Sequence, residues 1–304
     1  MKKDILNLLD LEKKDFDLLF KSAARFKQNA LTGNIKKPLE GKTLGILFDK
    51  PSTRTRISFE AAMLQLGGQA IFINARDTQI ARDEPVKDMA RVLTRYIDGL
   101  VIRTFSQDLI KDFAEFSTIP IINALTDLYH PCQVLSDIMT VIEKKGGYKG
   151  IKIAWVGDGN NVANSWINAA AVLGFKLSLA CPKSYFPDKD ILDRARKKSG
   201  SNIILVDDPA KAVQGADVIY TDVWASMGQE DEQKERLAVF KPFQVNKKLV
   251  GKAAVDVIIM HCLPAHRGEE ISEDVLEGHS SVIWDQSENK LHMAKAILTE
   301  LIKH

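Results

Sequence analysis

A serine, two threonines and an arginine lie together just after the first apolar run of the sequence, residues 42–48. Pro51 and Ser52 favour the start of a helix, so residues 52–55 would lie at its N-terminus. A helix N-terminus presents free backbone N–H groups and about half a positive charge, and the guanidinium of Arg54 adds further donors. The segment predicts a pocket for a phosphate or a similar oxyanion; a capped surface helix with solvated arginines is the alternative.

Two arginines of this segment are expected to play different parts. Arg54 and Arg56 are two residues apart, and side chains at that spacing on a helix do not face one ligand together. We expect one of them to bind the anion and the other to form an ion pair with Glu60 or Glu84.

Other polar side chains follow apolar runs in the first half of the chain. Arg103 ends the run 99–103, where a buried arginine requires a partner, either an ion pair or a ligand. His130 and Gln133 follow the next run, and each could donate a hydrogen bond to a carbonyl or phosphate oxygen. A lone histidine is more often structural, so His130 alone does not identify a site.

The second half of the chain contains glycines that resemble a dinucleotide-binding loop. Gly157, Gly159 and Val162 follow an apolar run and match the first part of a G-x-G-x-x-G sequence. Such loops are paired with a ribose-binding carboxylate at the end of the next strand, and the corresponding sequence LSLACPKSY has none. A nicotinamide-dependent dehydrogenase stays an alternative, while residues 160–161 are expected to meet a polar small molecule.

Asp222 ends another apolar run and is followed by Ser226 and Met227. A carboxylate at a strand end could bind a substrate ammonium group; a helix cap before the sequence EDEQKER is the alternative. Cys262 follows the run 257–261, where it is either a nucleophile or the wall of a pocket.

Histidines and cysteines occur near these runs, but not at metal-binding spacing. They are His130, Cys132, His261, Cys262 and His266. Neither a required metal nor a cofactor is expected.

Alternating apolar runs and amphipathic stretches predict the elements that position these residues. The predicted strands are 42–48, 69–73, 99–103, 119–123, 151–156, 176–181, 202–206, 218–222, 257–261 and 281–284. The predicted helices are 54–65, 86–97, 109–116, 133–148, 163–173, 189–198, 209–214 and 289–302. Ligands bind at the carboxyl ends of parallel strands, which is where the polar residues fall.

The fold class expected is α/β, with two doubly wound parallel-sheet domains. The helix 133–148, which a Gly-Gly pair ends, would link them. The first domain would cover residues 1–145 and bind the anion, with the C-terminal helix 289–304 crossing back to pack on it. The second would cover residues 146–288.

Composition excludes several classes of protein. The chain has 304 residues with 42 Lys and Arg against 40 Asp and Glu, a balance that argues against nucleic acid as a partner. Its three cysteines are too few for a disulfide scaffold. No apolar run is long enough to span a membrane, and the N-terminal segment lacks the pattern of a signal peptide. A cytoplasmic protein is expected.

Six strings, taken in this order and at this spacing, resemble the aspartate/ornithine transcarbamoylase family over essentially the whole chain. They are KPSTRTRISFE, IRTF, LTDLYHPCQ, GDGNN, DVWASMGQE and HCLP. The resemblance implies transfer of a carbamoyl group from carbamoyl phosphate to L-ornithine, giving L-citrulline and phosphate without a cofactor. It also implies a role in arginine biosynthesis and a homotrimer, or a multiple of one, with active sites at subunit interfaces.

The resemblance implies roles for individual residues. Those expected to bind carbamoyl phosphate are Ser52, Thr53, Arg54, Thr55, Gln79, Arg103, His130, Pro131, Cys132, Gln133, Cys262, Leu263 and Lys290. Those expected to bind ornithine are Asn161, Asp222, Ser226 and Met227. Arg54, Arg103, His130, Asp222 and Cys262 are expected to be catalytic, and Gln79 would reach the site of a neighbouring subunit.

Two positions depart from the family pattern. Lys290 stands where the family usually has an arginine, so the charge is kept and the planar fork is lost. Residues 79–84 read QIARDE, where the family more often has glycines beside the arginine, and the segment is expected to be stiffer.

Overall fold

The structure is a computed structural model that describes residues 1–34, 36–78, 84–199, 202–225 and 233–302. The chain divides into two compact units. The first contains residues 1–139 and 288–304, and the second contains residues 140–287.

The first unit is built on a four-stranded parallel sheet with strand order β2-β1-β3-β4. The strands are β1 (Thr43–Phe48), β2 (Gln69–Asn74), β3 (Gly99–Arg103) and β4 (Ile121–Leu125). The helices are α1 (Lys13–Leu31), α2 (Thr53–Gln65), α3 (Val86–Leu93), α4 (Gln107–Phe116) and α5 (Pro131–Lys145), whose last residues belong to the second unit. Because the strand order reverses at β1, ligand-binding residues are expected at the carboxyl ends of β1 and β3.

The second unit is built on a five-stranded parallel sheet with strand order β7-β6-β5-β8-β9. The strands are β5 (Lys152–Val156), β6 (Lys176–Ala180), β7 (Ile203–Val206), β8 (Val218–Thr221) and β9 (Ile258–His261). The helices are α6 (Asn161–Leu173), α7 (Lys189–Ser199), α8 (Pro209–Val213), α9 (Gln233–Phe240), α10 (Lys247–Val250) and α11 (Glu273–Leu276). The order reverses at β5, next to β8, so those two strand ends are the expected ligand edge.

The predicted class of two doubly wound α/β domains is confirmed, and the described residues form nine of the ten predicted strands. The tenth, 281–284, is wrong. Ser281 forms an isolated bridge with Ile259, and Ile283 already begins the last helix, α12 (Ile283–Ile302). Within α12, buried residues recur at helical spacing, at Gln286 and Met293 among others. The end of the apolar run 281–284 therefore belongs to the buried face of a helix.

The C-terminal helix packs on the first unit, as predicted. From Glu288 onward α12 belongs to that unit, and Lys27 Nζ of α1 donates to Asn289 Oδ1 at 2.8 Å. Ser22 Oγ lies 3.1 Å from Glu300 Oε1. The helix α1 lies outside every predicted element, although its buried residues Phe16, Leu19 and Ala23 recur at three- and four-residue spacing.

Apolar side chains fill the layers between sheet and helices in each unit, and the polar residues of interest follow the ends of the strands. No helix in the described part of the chain is both long and apolar enough to cross a membrane.

Candidate active site

The helix α2 begins where the sequence predicts an anion pocket. Ser52 is its N-cap, and Ser52 Oγ accepts a hydrogen bond from the N–H of Thr55 at 3.4 Å. Arg56 donates from Nε to Glu60 Oε1 at 2.8 Å, and its guanidinium lies 3.6 Å from the centroid of the Phe72 ring. The predicted structural ion pair is therefore confirmed for Arg56 with Glu60. Arg54, which is half-buried, stays the predicted anion ligand.

A cluster of cationic and neutral donors lies in the first unit around His130. Arg103 is the buried last residue of β3, where the register with β4 shifts. Burial, and then the positive charges of Lys290 and Arg103, hold the pKa of His130 well below its usual range. His130 is therefore neutral at physiological pH and offers one N–H donor and one acceptor nitrogen. Arg103 and Lys290 supply fixed positive charge beside it.

Gln133 lies on the first turn of α5, which begins at Pro131, and both ends of its amide are engaged. Its Nε2 donates to Asp137 Oδ1 at 2.8 Å, and its Oε1 accepts from Lys290 Nζ at 2.5 Å. Gln133 and Lys290 are both buried. The structure thus brings these two predicted ligand residues together and fixes the orientation of the amide.

Cys132 has a structural contact. Its Sγ donates to the carbonyl oxygen of Asn123 in β4 at 3.3 Å, and burial raises the pKa of the thiol to about 12. A protonated thiol bound to a peptide oxygen holds α5 against β4. A role of Cys132 in binding carbamoyl phosphate stays a prediction.

A second charge pair at this edge was missed by sequence reasoning. Lys50 follows β1 and is buried, and its Nζ contacts the carboxylate of Asp127 after β4. The same Nζ lies 4.0 Å from the centroid of the Phe105 ring. These contacts join the segments that follow β1, β3 and β4. The only signal was that Lys50 and Asp127 fall inside two of the recognisable strings.

In the second unit, Asp222 is the centre of a hydrogen-bond network at the carboxyl edge of the sheet. Its Oδ2 accepts from Asn160 Nδ2 at 2.8 Å, and its Oδ1 accepts from Cys262 Sγ at 2.9 Å. The structure therefore brings together side chains that follow β5, β8 and β9. The N–H of the adjacent Val223 also donates to Asp222 Oδ1, at 2.9 Å. The alternative of a helix cap depends on residues 226–232, which lie outside the described residues.

Asn160 and Asn161 have different positions. Asn160 is the N-cap of α6, where its Oδ1 accepts from the N–H groups of Val162 and Ala163 at 2.9 and 3.1 Å. Asn161 is the first residue of the helix and is half-buried. Asn160 thus positions Asp222 and starts α6, a role that the sequence did not reveal, while Asn161 stays the predicted ornithine ligand.

The segment Cys262 and Leu263 is held by a buried histidine. His261 Nδ1 accepts from the N–H of Leu263 at 2.8 Å, and His261 Nε2 lies 3.1 Å from Glu270 Oε1. Leu263 has a φ of +57°, a conformation that a leucine adopts at a cost and that the surrounding contacts must maintain. Sequence reasoning missed Glu270 because it lies on a loop after the strand, with no local pattern linking it to His261.

The glycines that resemble a dinucleotide-binding loop have a packing explanation. Gly157 has a φ of +138°. A Cβ at Gly159 would lie 2.2 Å from the backbone nitrogen of Pro187. Close approach of two chain segments therefore requires the second glycine, and the conformation favours the first.

Among the residues that the structure describes, two groups of side chains bring potential metal ligands within 4.8 Å of one another: Asp222, His261 and Cys262 form the first, and His266, Glu269 and Glu270 the second. In the first group both ring nitrogens of His261 are engaged, by Leu263 and Glu270. The carboxylate of Asp222 is likewise engaged, so the first group is held as a hydrogen-bond network. The fold creates the first group by bringing the ends of β8 and β9 together, while the second group lies within the local sequence HRGEE.

Three predicted site residues, Gln79, Ser226 and Met227, lie outside the described residues. Residues 230–232 of the helix predicted at EDEQKER do so as well, while the remainder of that string lies in α9.

Comparison with known protein families identifies both units. The description "Aspartate/ornithine carbamoyltransferase, carbamoyl-P binding domain" matches residues 3–143, and "Aspartate/ornithine carbamoyltransferase, Asp/Orn binding domain" matches residues 149–301. Together these matches cover nearly all of the chain. With these matches, the two parallel-sheet units identify the chain as a carbamoyltransferase, which is a transferase enzyme.

Comparison with individual proteins shows which carbamoyltransferases this chain resembles. The ornithine carbamoyltransferase of Syntrophus aciditrophicus is 58% identical over 302 residues, covering 99% of this chain and 100% of the relative. The solved ornithine carbamoyltransferase from Pyrococcus furiosus is 49% identical with a TM-score of 0.95, covering 98% of this chain and 96% of that one. The anabolic enzyme from Campylobacter jejuni is 42% identical with a TM-score of 0.92, covering 99% of both chains. The chain belongs to the ornithine carbamoyltransferase family.

Proposed function

We propose that this enzyme transfers the carbamoyl group of carbamoyl phosphate to the δ-amine of L-ornithine, giving L-citrulline and phosphate, in arginine biosynthesis in the cytoplasm. The observation that carries the proposal is the cluster of Arg103, neutral His130 and Lys290 in the first unit. Fixed cations beside a neutral hydrogen-bond donor suit an acyl phosphate whose carbonyl oxygen gains charge during attack.

The roles in the first unit follow from charge and geometry. The N-terminus of α2, with Ser52, Thr53, Arg54 and Thr55, binds the phosphate. Arg103 and His130 polarise the carbonyl oxygen, and Gln133, oriented by Lys290, accepts from the carbamoyl NH₂ group. Each group acts by position and charge, without a covalent intermediate.

The roles in the second unit concern the acceptor. Asp222 binds the α-ammonium of ornithine, and Cys262, whose thiol donates to Asp222, lies beside the δ-amine. Asn161, Ser226 and Met227 complete the residues that bind ornithine, while Cys262 and Leu263 also complete the site for carbamoyl phosphate. The neutral δ-amine attacks the carbonyl carbon, the C–O bond to phosphate breaks, and the leaving phosphate accepts the amine proton. No metal or cofactor takes part in this scheme.

We also propose that the enzyme is a homotrimer, or a multiple of one, in which Gln79 serves the active site of a neighbouring subunit. The resemblance of the six sequence strings to the aspartate/ornithine transcarbamoylase family implies this assembly.

Initial rates of citrulline formation from the two substrates test the proposed reaction. The purified enzyme is expected to form citrulline and phosphate in equal amounts. Arg54→Ala is expected to lower kcat by about 10²–10³-fold, as the loss of a preorganised charge donor does. Arg267→Ala is the matched control, because Arg267 is an exposed arginine that pairs with Glu273 and Glu277. Absence of citrulline with the unmodified enzyme would refute the proposal, and near-normal turnover by Arg54→Ala would remove Arg54 from the site.

A further inference from the structure

A buried arginine in the second unit joins two segments of the edge that carries Asp222. Arg236 lies on α9 and is 3% exposed, and its Nη2 donates to Asp158 Oδ2 just beyond β5. Its Nε donates to the backbone carbonyl oxygen of Trp224, beyond β8, at 2.5 Å. One guanidinium therefore holds the chain after β5 and the chain after β8 at a fixed separation.

Aromatic rings enclose this guanidinium. It lies 4.5 Å from the centroid of the Tyr185 ring and 5.4 Å from that of Phe240. The Trp224 ring stacks on Phe240 with centroids 5.8 Å apart. A planar cation is well suited to such a site because it can lie against aromatic faces while donating in its own plane. Burial raises the pKa of Asp158 to about 6, against the opposing charge of Arg236, so the pair is ionic at neutral pH.

The two segments joined by Arg236 are those that carry the proposed acceptor site. Trp224 is two residues after Asp222, and Ser226 follows two residues later. Asp158 is two residues before Asn160, which itself donates to Asp222 at 2.8 Å. A change in the separation of Asp158 and Trp224 would therefore be passed to the carboxylate that is proposed to bind the α-ammonium.

We infer that Arg236 is a positioning residue for the acceptor: by bridging Asp158 and the Trp224 carbonyl it fixes the spacing of Asn160, Asn161 and Asp222 against the amino-acid end of ornithine. It acts through these residues, and it is not assigned to substrate contact. The inference rests on the proposed function. It adds that the contacts of Arg236 maintain the affinity of the enzyme for ornithine. A lysine at position 236 would keep the charge but lose the planar guanidinium, which donates from two separate nitrogens while it lies against the aromatic rings.

The test compares Arg236→Lys with Arg267→Lys, the same change at an exposed arginine of the same unit. Both variants are assayed for citrulline formation while each substrate is varied in turn, with circular dichroism melting to confirm folding. Arg236→Lys is expected to raise the KM for ornithine about tenfold, from loss of one hydrogen bond to a charged donor. The KM for carbamoyl phosphate should change less than about twofold, and Arg267→Lys should behave as the unmodified enzyme.

Asp158→Asn gives a second reading, because it keeps the shape of the side chain and removes the charge that Arg236 bridges. It is expected to raise the KM for ornithine selectively, and in the double variant the two effects should not multiply, since both remove one bridge. An unchanged ornithine KM in a folded variant, an equal rise for both substrates, or collapse of the fold in both single variants would overturn the inference. Failure of the unmodified enzyme to form citrulline would instead refute the proposed function.

Discussion

Lys290 Nζ donates a hydrogen bond to Gln133 Oε1 at 2.5 Å, between residues 157 positions apart in the chain. The contact joins α12 to the first turn of α5, and both side chains are buried. Because Gln133 Nε2 donates to Asp137, the amide cannot turn over without losing two hydrogen bonds. A lysine that stands where the family usually has an arginine thus fixes the orientation of a proposed carbamoyl phosphate ligand.

Two substitutions at position 290 distinguish the effect of the positive charge from the effect of the side-chain shape. Lys290→Arg is expected to keep or lower the KM for carbamoyl phosphate, because a planar fork can bind Gln133 and the substrate at once. Lys290→Met fills similar volume without charge, leaves Gln133 Oε1 without this donor, and should raise that KM about tenfold or more. Initial rates with carbamoyl phosphate varied give both values. A large loss of activity in Lys290→Arg would show that the surrounding chain accommodates only lysine.

Asp222→Asn tests the assignment of the acceptor. The amide keeps an oxygen for Cys262 but removes the counter-charge to an ammonium group, so ornithine binding should weaken roughly tenfold to a hundredfold. Calorimetric affinity for carbamoyl phosphate should stay within about twofold. Asp274→Asn, at an exposed aspartate paired with Lys247, is the control. Weaker carbamoyl phosphate binding with unchanged ornithine affinity would show that the two substrates are assigned to the wrong units.

His130 predicts a pH dependence of stability. Its pKa in the folded chain lies well below its usual range because of burial and the charges of Lys290 and Arg103. Below a pH of about 6.5 the unfolded chain therefore binds more protons at this group, and the free energy of unfolding falls as the pH falls. One such group contributes at most about 1.4 kcal/mol per pH unit.

Urea unfolding at about pH 7.5 and 5.5, compared between the unmodified protein and His130→Gln, isolates this contribution. The unmodified protein is expected to lose more stability than the variant across that interval, and the difference arises below a pH of about 6.5. Equal losses in both proteins would show that His130 titrates normally in the folded chain.

Mixed oligomers test the proposed sharing of sites. Gln79→Ala and Arg103→Ala are each expected to be nearly inactive. If Gln79 serves a neighbour and Arg103 its own chain, unfolding and refolding equal amounts together should restore about one quarter of the sites by random assortment in a cyclic trimer. Refolded mixed trimers that form no more citrulline than either parent would contradict the sharing.

Local sequence patterns predicted some features well, and the physical reason is visible in them. The strand β3 occurs at its predicted bounds because a strand covered on both faces is a continuous apolar run, and all five of its residues are buried. The start of α2 is encoded by Ser52 and the residues that follow it. The run 281–284 failed because four apolar or small residues do not distinguish a strand from the first turn of a helix.

Contacts between distant residues could not be predicted in the same way. Lys290 and Gln133, His261 and Glu270, and Arg236 and Asp158 are paired by the packing of whole elements, and no periodicity in the sequence links the partners. Resemblance to a family indicated which residues are expected to bind the substrates or to take part in catalysis. It did not indicate that Asn160 and Cys262 both donate to Asp222, since that depends on the register of three strand ends.

The most direct test of the central claim is the choice of acceptor. With carbamoyl phosphate saturating, kcat/KM is measured for L-ornithine, putrescine, N-acetylornithine and L-aspartate. Ornithine is expected to exceed each of the others by about 10³-fold or more, because putrescine lacks the carboxylate, acetylation neutralises one amine, and aspartate lacks the long side-chain amine. Carbamoyl transfer to aspartate or putrescine at a rate equal to or above that to ornithine would contradict the account.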